Sequence, residues 1–337
     1  MNNLYLLGCD WGSSSFRLKL FNIAEQKVVG EINTKEGIVN TFKLWQVYLK
    51  TETSPISREH FFRQKLKNNL DILAEQLSKD LNHISIMISG MASSSIGMFD
   101  VAYSNLPYSL DGNNAVTVTI AADNDFQNDI ILISGVKSVD DVMRGEETQV
   151  LGMISLLQQD NLCPEKVILI FPGTHSKHIY IHRDKMTDFK TFMTGELYDL
   201  LIHHSILSNS VSATKLGLVS EDDFNMFRKG IAASADSSVL HNLFSVRTNE
   251  LFEVLDKHQN SIYLSGLLIG AELRCLLNEE KLPIILCSGS NLHKFYKLGL
   301  DELGFMNRTT ILSNEIIDKA AILGQSLLRN AIFKNSK

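Results

Sequence analysis

The chain has 337 residues, enough for two domains at about 150 residues each or for one large one. Hydrophobic residues make up 44% and charged residues 21%, the balance of an ordinary folded protein, which excludes disordered and collagen-like chains. Five prolines are too few for a Pro-rich linker between independent modules, and a net charge of −6 argues against general affinity for nucleic acid or an anionic membrane.

Cys9, Cys163, Cys275 and Cys287 show no CxxC or other metal-ligand spacing and read as reduced residues of a cytoplasmic protein. His60, His83, His203, His204 and His241 are likewise scattered without metal spacing. The N-terminal segment reaches Asp10 with no basic region and is not expected to be a signal peptide. Apolar stretches such as Val167 to Phe171 and Leu264 to Ile269 fall far short of the roughly 20 residues a membrane span needs.

Leu4 to Cys9 is an apolar run closed by Asp10 and Gly12, after which Phe16, Leu18 and Leu20 alternate with Arg17 and Lys19. This predicts strand, tight turn and strand. A third strand is expected near Lys27 to Ile32, then a polar stretch from Thr34 to Ser57, a helix over Arg58 to Lys79 and a strand over Ile84 to Ile88. Strands around Ala115 to Ile120 and Asp129 to Ser134 precede a helix from Glu146 to about Gln158. Strands and helices alternating in this way predict an α/β fold. Lys166 to Phe171 then repeats the opening pattern: strand, glycine turn, and a strand marked by Ile179 and Ile181. Gly173-Thr174-His175 lies 161 residues beyond Gly12-Ser13-Ser14, close to half the chain, which suggests a duplicated fold. Helices are predicted over Gly195 to Ser208, Glu221 to Ala233, Val239 to Phe244, Glu250 to Asp256 and Ser261 to Leu277. A strand over Pro283 to Cys287, a helix over Leu292 to Leu303 and a last helix over Asn314 to Ile332 follow, the last with small residues Ala320, Ala321 and Gly324 on one face.

Four segments carry candidate chemistry. In D-W-G-S-S-S-F-R (10 to 17) a strand-end carboxylate precedes a glycine and three hydroxyls, a set that suits a hydrated Mg²⁺ and phosphate oxygens; the alternative is a self-capped hairpin. P-G-T-H-S-K (172 to 177) adds backbone donors, hydroxyls and a cation, with a plain turn as the alternative. V-M-R-G-E-E-T-Q-V-L-G (142 to 152) sets Glu146 and Glu147 at a helix start, where a carboxylate either accepts a proton from a hydroxyl or complements the helix dipole. L-C-S-G-S-N-L (286 to 292) is a strand-to-helix turn against which an adenine or ribose could lie.

That order resembles the sugar kinase, heat-shock protein 70 and actin superfamily, with its phosphate-1, connect-1, phosphate-2, adenosine and connect-2 segments. Together with G-M-A-S-S-S-I-G (90 to 97), F-M-T-G-E-L (192 to 197) and S-G-L-L-I-G-A-E-L (265 to 273), the motifs resemble the 2-dehydro-3-deoxygalactonokinase family over nearly the whole chain. The resemblance implies a two-lobed actin-like ATPase (ribonuclease H-like) fold with duplicated β-sheet domains and an interlobe cleft. One lobe would comprise 1–143 with the C-terminal helix 314–337, the other 144–313 with the adenosine-binding part. It implies transfer of phosphate from ATP, with Mg²⁺, to the 6-hydroxyl of 2-dehydro-3-deoxy-D-galactonate.

On this resemblance Asp10 holds Mg²⁺, while Gly12, Ser13, Ser14, Gly173, Thr174, His175 and Lys177 bind phosphate. Gly266, Gly270, Ser288, Gly289 and Ser290 fall to the rest of the nucleotide. Glu147 is the candidate base by analogy with exopolyphosphatases, with Glu146 the alternative. Arg17 and Arg144 are candidates for the sugar-acid carboxylate, because a guanidinium can bind it bidentately; Ser15, Ser94, Ser95 and Thr194 are candidate hydroxyl partners. The departures are Pro172 in place of an aspartate, His178 in place of a tryptophan, and Met98 in place of an aromatic. They leave the exact sugar acid open. A kinase for another 2-keto-3-deoxy sugar acid or sugar, or a nucleotide-binding scaffold or sensor without kinase activity, are the alternatives, and the oligomeric state is open, a homodimer included.

Overall fold

The computed structural model describes residues 4–159, 162–212, 220–235, 238–279, 281–289 and 292–335. The chain divides into two compact units, the first comprising Met1–Cys163, Asp184–Thr187 and Glu315–Lys337, the second Pro164–Arg183 and Asp188–Asn314. The first unit thus runs beyond the division expected at residue 143.

In the first unit, β1 (Tyr5–Trp11), β2 (Phe16–Asn22) and β3 (Lys27–Thr34) form a meander, joined by β4 (Ile86–Gly90), β5 (Thr117–Ile120) and β6 (Ile130–Ile133). The strand order is β3-β2-β1-β4-β6-β5, with β2 antiparallel to β1, β4 parallel to β1 and β6 parallel to β4. Every residue of β4 and β6 is buried, as expected for parallel strands covered on both faces. Leu7, Cys9, Trp11, Phe16, Leu18, Phe62, Leu66, Ile86 and Ile88 contribute to one continuous core.

The second unit repeats this plan with β7 (Lys166–Phe171), β8 (Ser176–His182), β9 (Lys185–Phe192), β10 (Ile284–Leu286) and β11 (Thr309–Ile311). Their order is β11-β10-β7-β8-β9, again with an antiparallel hairpin partner on one side of the first strand and two parallel strands on the other. The duplication expected from the two glycine turns is therefore present in strand order and direction.

The segment Thr34 to Ser57, expected to be a polar stretch, contains α1 (Ile38–Thr51). Its start carries no side-chain cap, and Val39, Leu44, Val47 and Leu49 leave apolar side chains exposed, so neither capping nor a single apolar stripe announces the helix. The remaining helices are α2 (Arg58–Leu77), α3 (Glu146–Gln159), α4 (Thr194–His204), α5 (Glu221–Ala233), α6 (Val239–Leu251), α7 (Lys257–Leu273), α8 (His293–Glu302) and α9 (Asn314–Asn335). The helix expected over Glu250 to Asp256 does not exist separately: α6 continues to Leu251, and Asp256 forms a capping box with Gln259 that starts α7. Among the described residues, no helix is long and apolar enough to cross a membrane.

Small residues allow two close helix contacts. A Cβ on Gly152 of α3 would lie 2.0 Å from the Ala320 carbonyl of α9, and one on Gly324 would lie 1.8 Å from the Thr148 carbonyl. In the second unit, a Cβ on Gly230 of α5 would lie 2.1 Å from the Tyr263 carbonyl, and one on Gly266 of α7 would lie 2.2 Å from that of Phe227.

Candidate functional site

The turn after β1 is fixed from behind. Gly12 N–H closes the hairpin on the Ser15 carbonyl at 2.9 Å, while the N–H groups of Ile38 and Val39 in α1 donate to the carbonyls of Gly12 and Ser13 at 2.9 and 3.1 Å. A planar trans peptide points its C=O and the following N–H in opposite directions. The amides of Ser13 and Ser14 consequently face away from α1, on exposed residues. Gly37 makes this approach possible, since a Cβ there would sit 2.3 Å from the Ser13 carbonyl.

Asp10, between buried Cys9 and Trp11 of β1, ion-pairs with half-exposed Arg17 at 3.1 Å. Burial pushes its carboxyl above the ordinary range; Arg17 opposes the rise and the charge of Glu146 adds to it. Two glycines with positive φ connect β4 to the start of α3: Gly90, at 89°, where a Cβ would lie 2.7 Å from the Trp11 carbonyl, and Gly145, at 111°, where one would lie 3.1 Å from the Gly90 Cα. A β-carbon at either position would be strained by φ as well as crowded.

The two adjacent glutamates diverge as α3 begins. Glu147 is 1% exposed and turns inward, accepting from Gly145 N–H at 2.6 Å and from the Thr148 hydroxyl at 2.9 Å. Burial, reinforced by Glu146, pushes its carboxyl up to about 8. Glu146 is half-buried and is the member whose charge reaches Asp10. Glu147 is thus the buried, hydrogen-bonded member of the pair and Glu146 the one nearer solvent.

Arg144 is engaged within the first unit. Its Nη1 donates to the Ser93 carbonyl and hydroxyl at 2.6 and 2.8 Å, its Nη2 to the Val101 carbonyl at 3.2 Å, and its guanidinium lies over Tyr103 at 4.1 Å. It clamps the Ser-rich loop rather than presenting a bidentate face to a ligand. In that loop, Ser94 is buried with its hydroxyl on the Met91 carbonyl at 2.7 Å, and exposed Ser95 accepts from Arg58 through its carbonyl at 2.7 Å. Ser15, half-buried, closes the first hairpin. Gln325 of α9 was not anticipated: 1% exposed, it donates to the Cys9 carbonyl at 2.8 Å and the Ser89 hydroxyl at 2.9 Å. Only the spacing of Gln325 behind Gly324 was available in sequence, and a lone glutamine in a helix carries no signal.

Among the described residues, no group of three or more His, Cys, Asp or Glu is arranged to hold a metal. Mg²⁺ is commonly held by one or two carboxylates together with substrate phosphates. Asp10 is a carboxylate of that kind, with Glu146 close enough for its charge to raise the Asp10 carboxyl.

In the second unit, the turn between β7 and β8 carries Gly173, where a Cβ would meet nothing within 4 Å, and exposed Thr174 and His175. Glu196 N–H in α4 donates to the Thr174 carbonyl at 2.9 Å, and the Glu196 carboxylate pairs with His175 Nε2. Lys177 is 4% exposed, its Nζ donating to the His175 carbonyl at 3.3 Å, so it braces the turn from inside. Thr194, a candidate sugar-acid partner, donates its hydroxyl to Glu272. Glu272, 3% exposed, also accepts from Ser176 at 2.6 Å, His178 Nε2 at 3.1 Å and Tyr296 at 2.7 Å. His178 therefore fills a buried polar position, its ring tilted 48° against Phe192 with centroids 4.6 Å apart.

Gly266 and Gly270, expected at the nucleotide, are instead helix-packing positions: their missing Cβ atoms admit α5, with Phe227 O at 2.2 Å and Ser234 Oγ at 2.5 Å respectively. Ser288 is buried and Gly289 exposed at the end of β10, with the Ser288 hydroxyl on the Gly289 carbonyl at 3.1 Å. Ser290 lies outside the described residues.

The sequence pattern of the 2-keto-3-deoxy-galactonokinase family matches residues 10–321. The chain belongs to that family. It is similar to a Rhizobium meliloti (strain 1021) protein named "Probable 2-dehydro-3-deoxygalactonokinase", 29% identical with 98% of each chain covered. It is also similar to the 2-dehydro-3-deoxygalactonokinase of Escherichia coli (strain K12), 31% identical with 65% of this chain and 71% of the relative covered. A crystal structure of a Sinorhizobium meliloti protein named for the same activity superposes with a TM-score of 0.77, at 29% identity, over 97% of each chain. Membership supports sugar-acid kinase chemistry with ATP, and the duplicated α/β units are those of the actin-like ATPase fold.

Proposed function

We propose that the chain transfers the γ-phosphoryl group of ATP to the 6-hydroxyl of 2-dehydro-3-deoxy-D-galactonate in the cytoplasm. The observation that carries the reading, beside family membership, is the orientation of the first turn: α1 ties back two successive carbonyls, and the amides of Ser13 and Ser14 are left directed outward as anion donors. Gly12, Ser13 and Ser14 of the first turn, and Gly173, Thr174 and His175 of the second, are the phosphate-binding residues, with Lys177 adding positive charge beneath the second turn. Gly289, exposed at the end of β10, contacts the nucleoside, with Ser288 buried behind it. Asp10 holds Mg²⁺, which when bound would neutralise charge on the transferring phosphoryl group.

Glu146 accepts the proton of the 6-hydroxyl as its oxygen forms the new bond to phosphorus and the bond to the β,γ-bridging oxygen breaks, releasing ADP. Phosphoryl transfer asks the protein mainly for positioning and charge stabilisation, and a half-buried carboxylate at the helix start can serve that role where buried Glu147 cannot touch a substrate. Arg17, exposed on one side and paired with Asp10 on the other, takes the sugar-acid carboxylate, with Ser15 and Ser95 as hydroxyl partners. Arg144 and Ser94 act by shaping the Ser-rich loop.

The test is an ADP-release assay with ATP and Mg²⁺ across 2-keto-3-deoxy sugar acids and neutral sugars. Turnover is expected with 2-dehydro-3-deoxy-D-galactonate. Turnover confined to neutral sugars would overturn the substrate assignment, and ATP hydrolysis indifferent to every sugar acid would overturn the kinase reading.

A further inference from the structure

The motif F-M-T-G-E-L contributes only Thr194 to the candidate site read from sequence, yet its next two residues touch the second glycine turn at every level of the backbone. A Cβ on Gly195 would lie 2.5 Å from the Gly173 carbonyl and 2.8 Å from the Thr174 Cα. The following amide, Glu196 N–H, holds the Thr174 carbonyl at 2.9 Å, which turns the His175 N–H to the opposite side. The Glu196 carboxylate holds the His175 ring. A bare carboxylate beside a phosphate site would repel the ligand, so its pairing with an imidazole accounts for a glutamate in this place.

The arrangement is anchored below. Glu272 receives the hydroxyls of Thr194, directly before Gly195, and of Ser176, directly after His175. With His178 and Tyr296 also donating, its oxygens are fully engaged, so one end of the turn and the start of the helix that braces it are fixed to one buried group.

We propose that Gly195 and Glu196, anchored through Thr194 to Glu272, are positioning residues that hold the Gly173–His175 turn in its phosphate-binding shape. The proposal rests on the kinase reading for the identity of the ligand. The deciding experiment compares Gly195→Ala, Glu196→Ala and Glu196→Gln in the full chain by calorimetric titration with MgATP, thermal melting, and steady-state kinetics in ATP and in 2-dehydro-3-deoxy-D-galactonate. Glu196→Ala, at a partly exposed side chain, is expected to keep its melting temperature yet weaken MgATP binding by about tenfold or more, the worth of one hydrogen bond to a charged group. KM for ATP should rise in parallel while KM for the sugar acid stays within about twofold. Gly195→Ala should lose at least as much, and Glu196→Gln, whose amide oxygen still accepts from the imidazole, should recover most of the affinity.

Wild-type MgATP affinity in Glu196→Ala, or a Glu196→Gln variant as weak as Glu196→Ala, would overturn the proposal. Wild-type protein that binds MgATP but phosphorylates no sugar acid would overturn the kinase reading alone, with the affinity comparison still deciding the role of Glu196. Wild-type protein that binds no MgATP would overturn both.

Discussion

Replacing Glu147 with glutamine separates a buried structural acid from a catalytic one. Glu147 has a carboxyl raised from the ordinary 4.5 to about 8 by burial and by Glu146. The folded state therefore keeps a proton that the unfolded chain gives up, and ν_U is smaller than ν_N between those two values. Below about pH 4.5 both states are protonated and the group costs nothing. As pH rises toward 8 the unfolded state gains by ionising, and the full penalty stands once the folded group has also ionised. A rise from 4.5 to about 8 corresponds to about 5 kcal/mol, each tenfold in proton affinity being worth about 1.4 kcal/mol. Glutamine is neutral throughout and can accept from Gly145 N–H while donating to the Thr148 hydroxyl. Urea unfolding followed by tryptophan fluorescence reads the correct unit, since the two tryptophans, Trp11 and Trp45, both lie in the first one. The stability of Glu147→Gln relative to wild type is expected to climb by about 4 kcal/mol between about pH 5 and about pH 9. A stability difference that does not change with pH would refute the burial reasoning.

Glu146→Gln should lower kcat by about a hundredfold or more in the ADP-release assay while Glu147→Gln keeps most of its turnover; the reverse ranking would reassign the base. Gly324→Ala, which drives a methyl to 1.8 Å from the Thr148 carbonyl, should cost the first unit about 3 kcal/mol or more, seen as a lowered urea midpoint. Gln325→Leu strands the Cys9 carbonyl and Ser89 hydroxyl without their donor and should cost about 1–3 kcal/mol in the same titration. Arg17→Met should raise KM for the sugar acid with KM for ATP nearly unchanged, and an unaltered sugar-acid KM would exclude Arg17 from carboxylate binding.

Much of the strand plan was legible because it depends on local pattern. Alternation over Phe16 to Leu20, the mostly apolar runs at Ile84 to Ile88 and Lys166 to Phe171, and the glycine turns after Asp10 and Phe171 locate both central hairpins. The small-residue face of α9 also follows from sequence, and Gly324 and Ala320 meet α3 as that face requires. What sequence does not carry is direction. Glu146 and Glu147 are equivalent as text; they separate because adjacent helix positions diverge by about 100° and, with α3 starting directly after Gly145, Glu147 falls on the inner side. Arg144 and Thr194 have the right chemistry for a sugar acid, but tertiary partners, the Ser-rich loop and Glu272, already engage them. Gly266 and Gly270 sit in a motif that marks the family, and their reason is the approach of α5, a distance that no spacing rule expresses.

The two glycine turns share little sequence beyond the glycine itself, so residue-by-residue comparison understates how alike they are. Each is backed by the helix that follows its three-stranded meander, α1 after β3 and α4 after β9. In each, a glycine at the helix start comes within contact of the turn backbone, Gly37 on Ser13 and Gly195 on Gly173. In each, the first free helix amides take turn carbonyls, Ile38 and Val39 in one case and Glu196 in the other. Helix N–H groups lack intrahelical partners in the first turn, so binding them to the carbonyls of a hairpin satisfies the helix and orients the hairpin amides outward in one arrangement. The duplicated feature is thus the brace rather than the ligand-contacting residues. Ser13-Ser14 and Thr174-His175 could then diverge in chemistry, hydroxyls in one unit and a carboxylate-held imidazole in the other, while the backbone that presents them stayed the same.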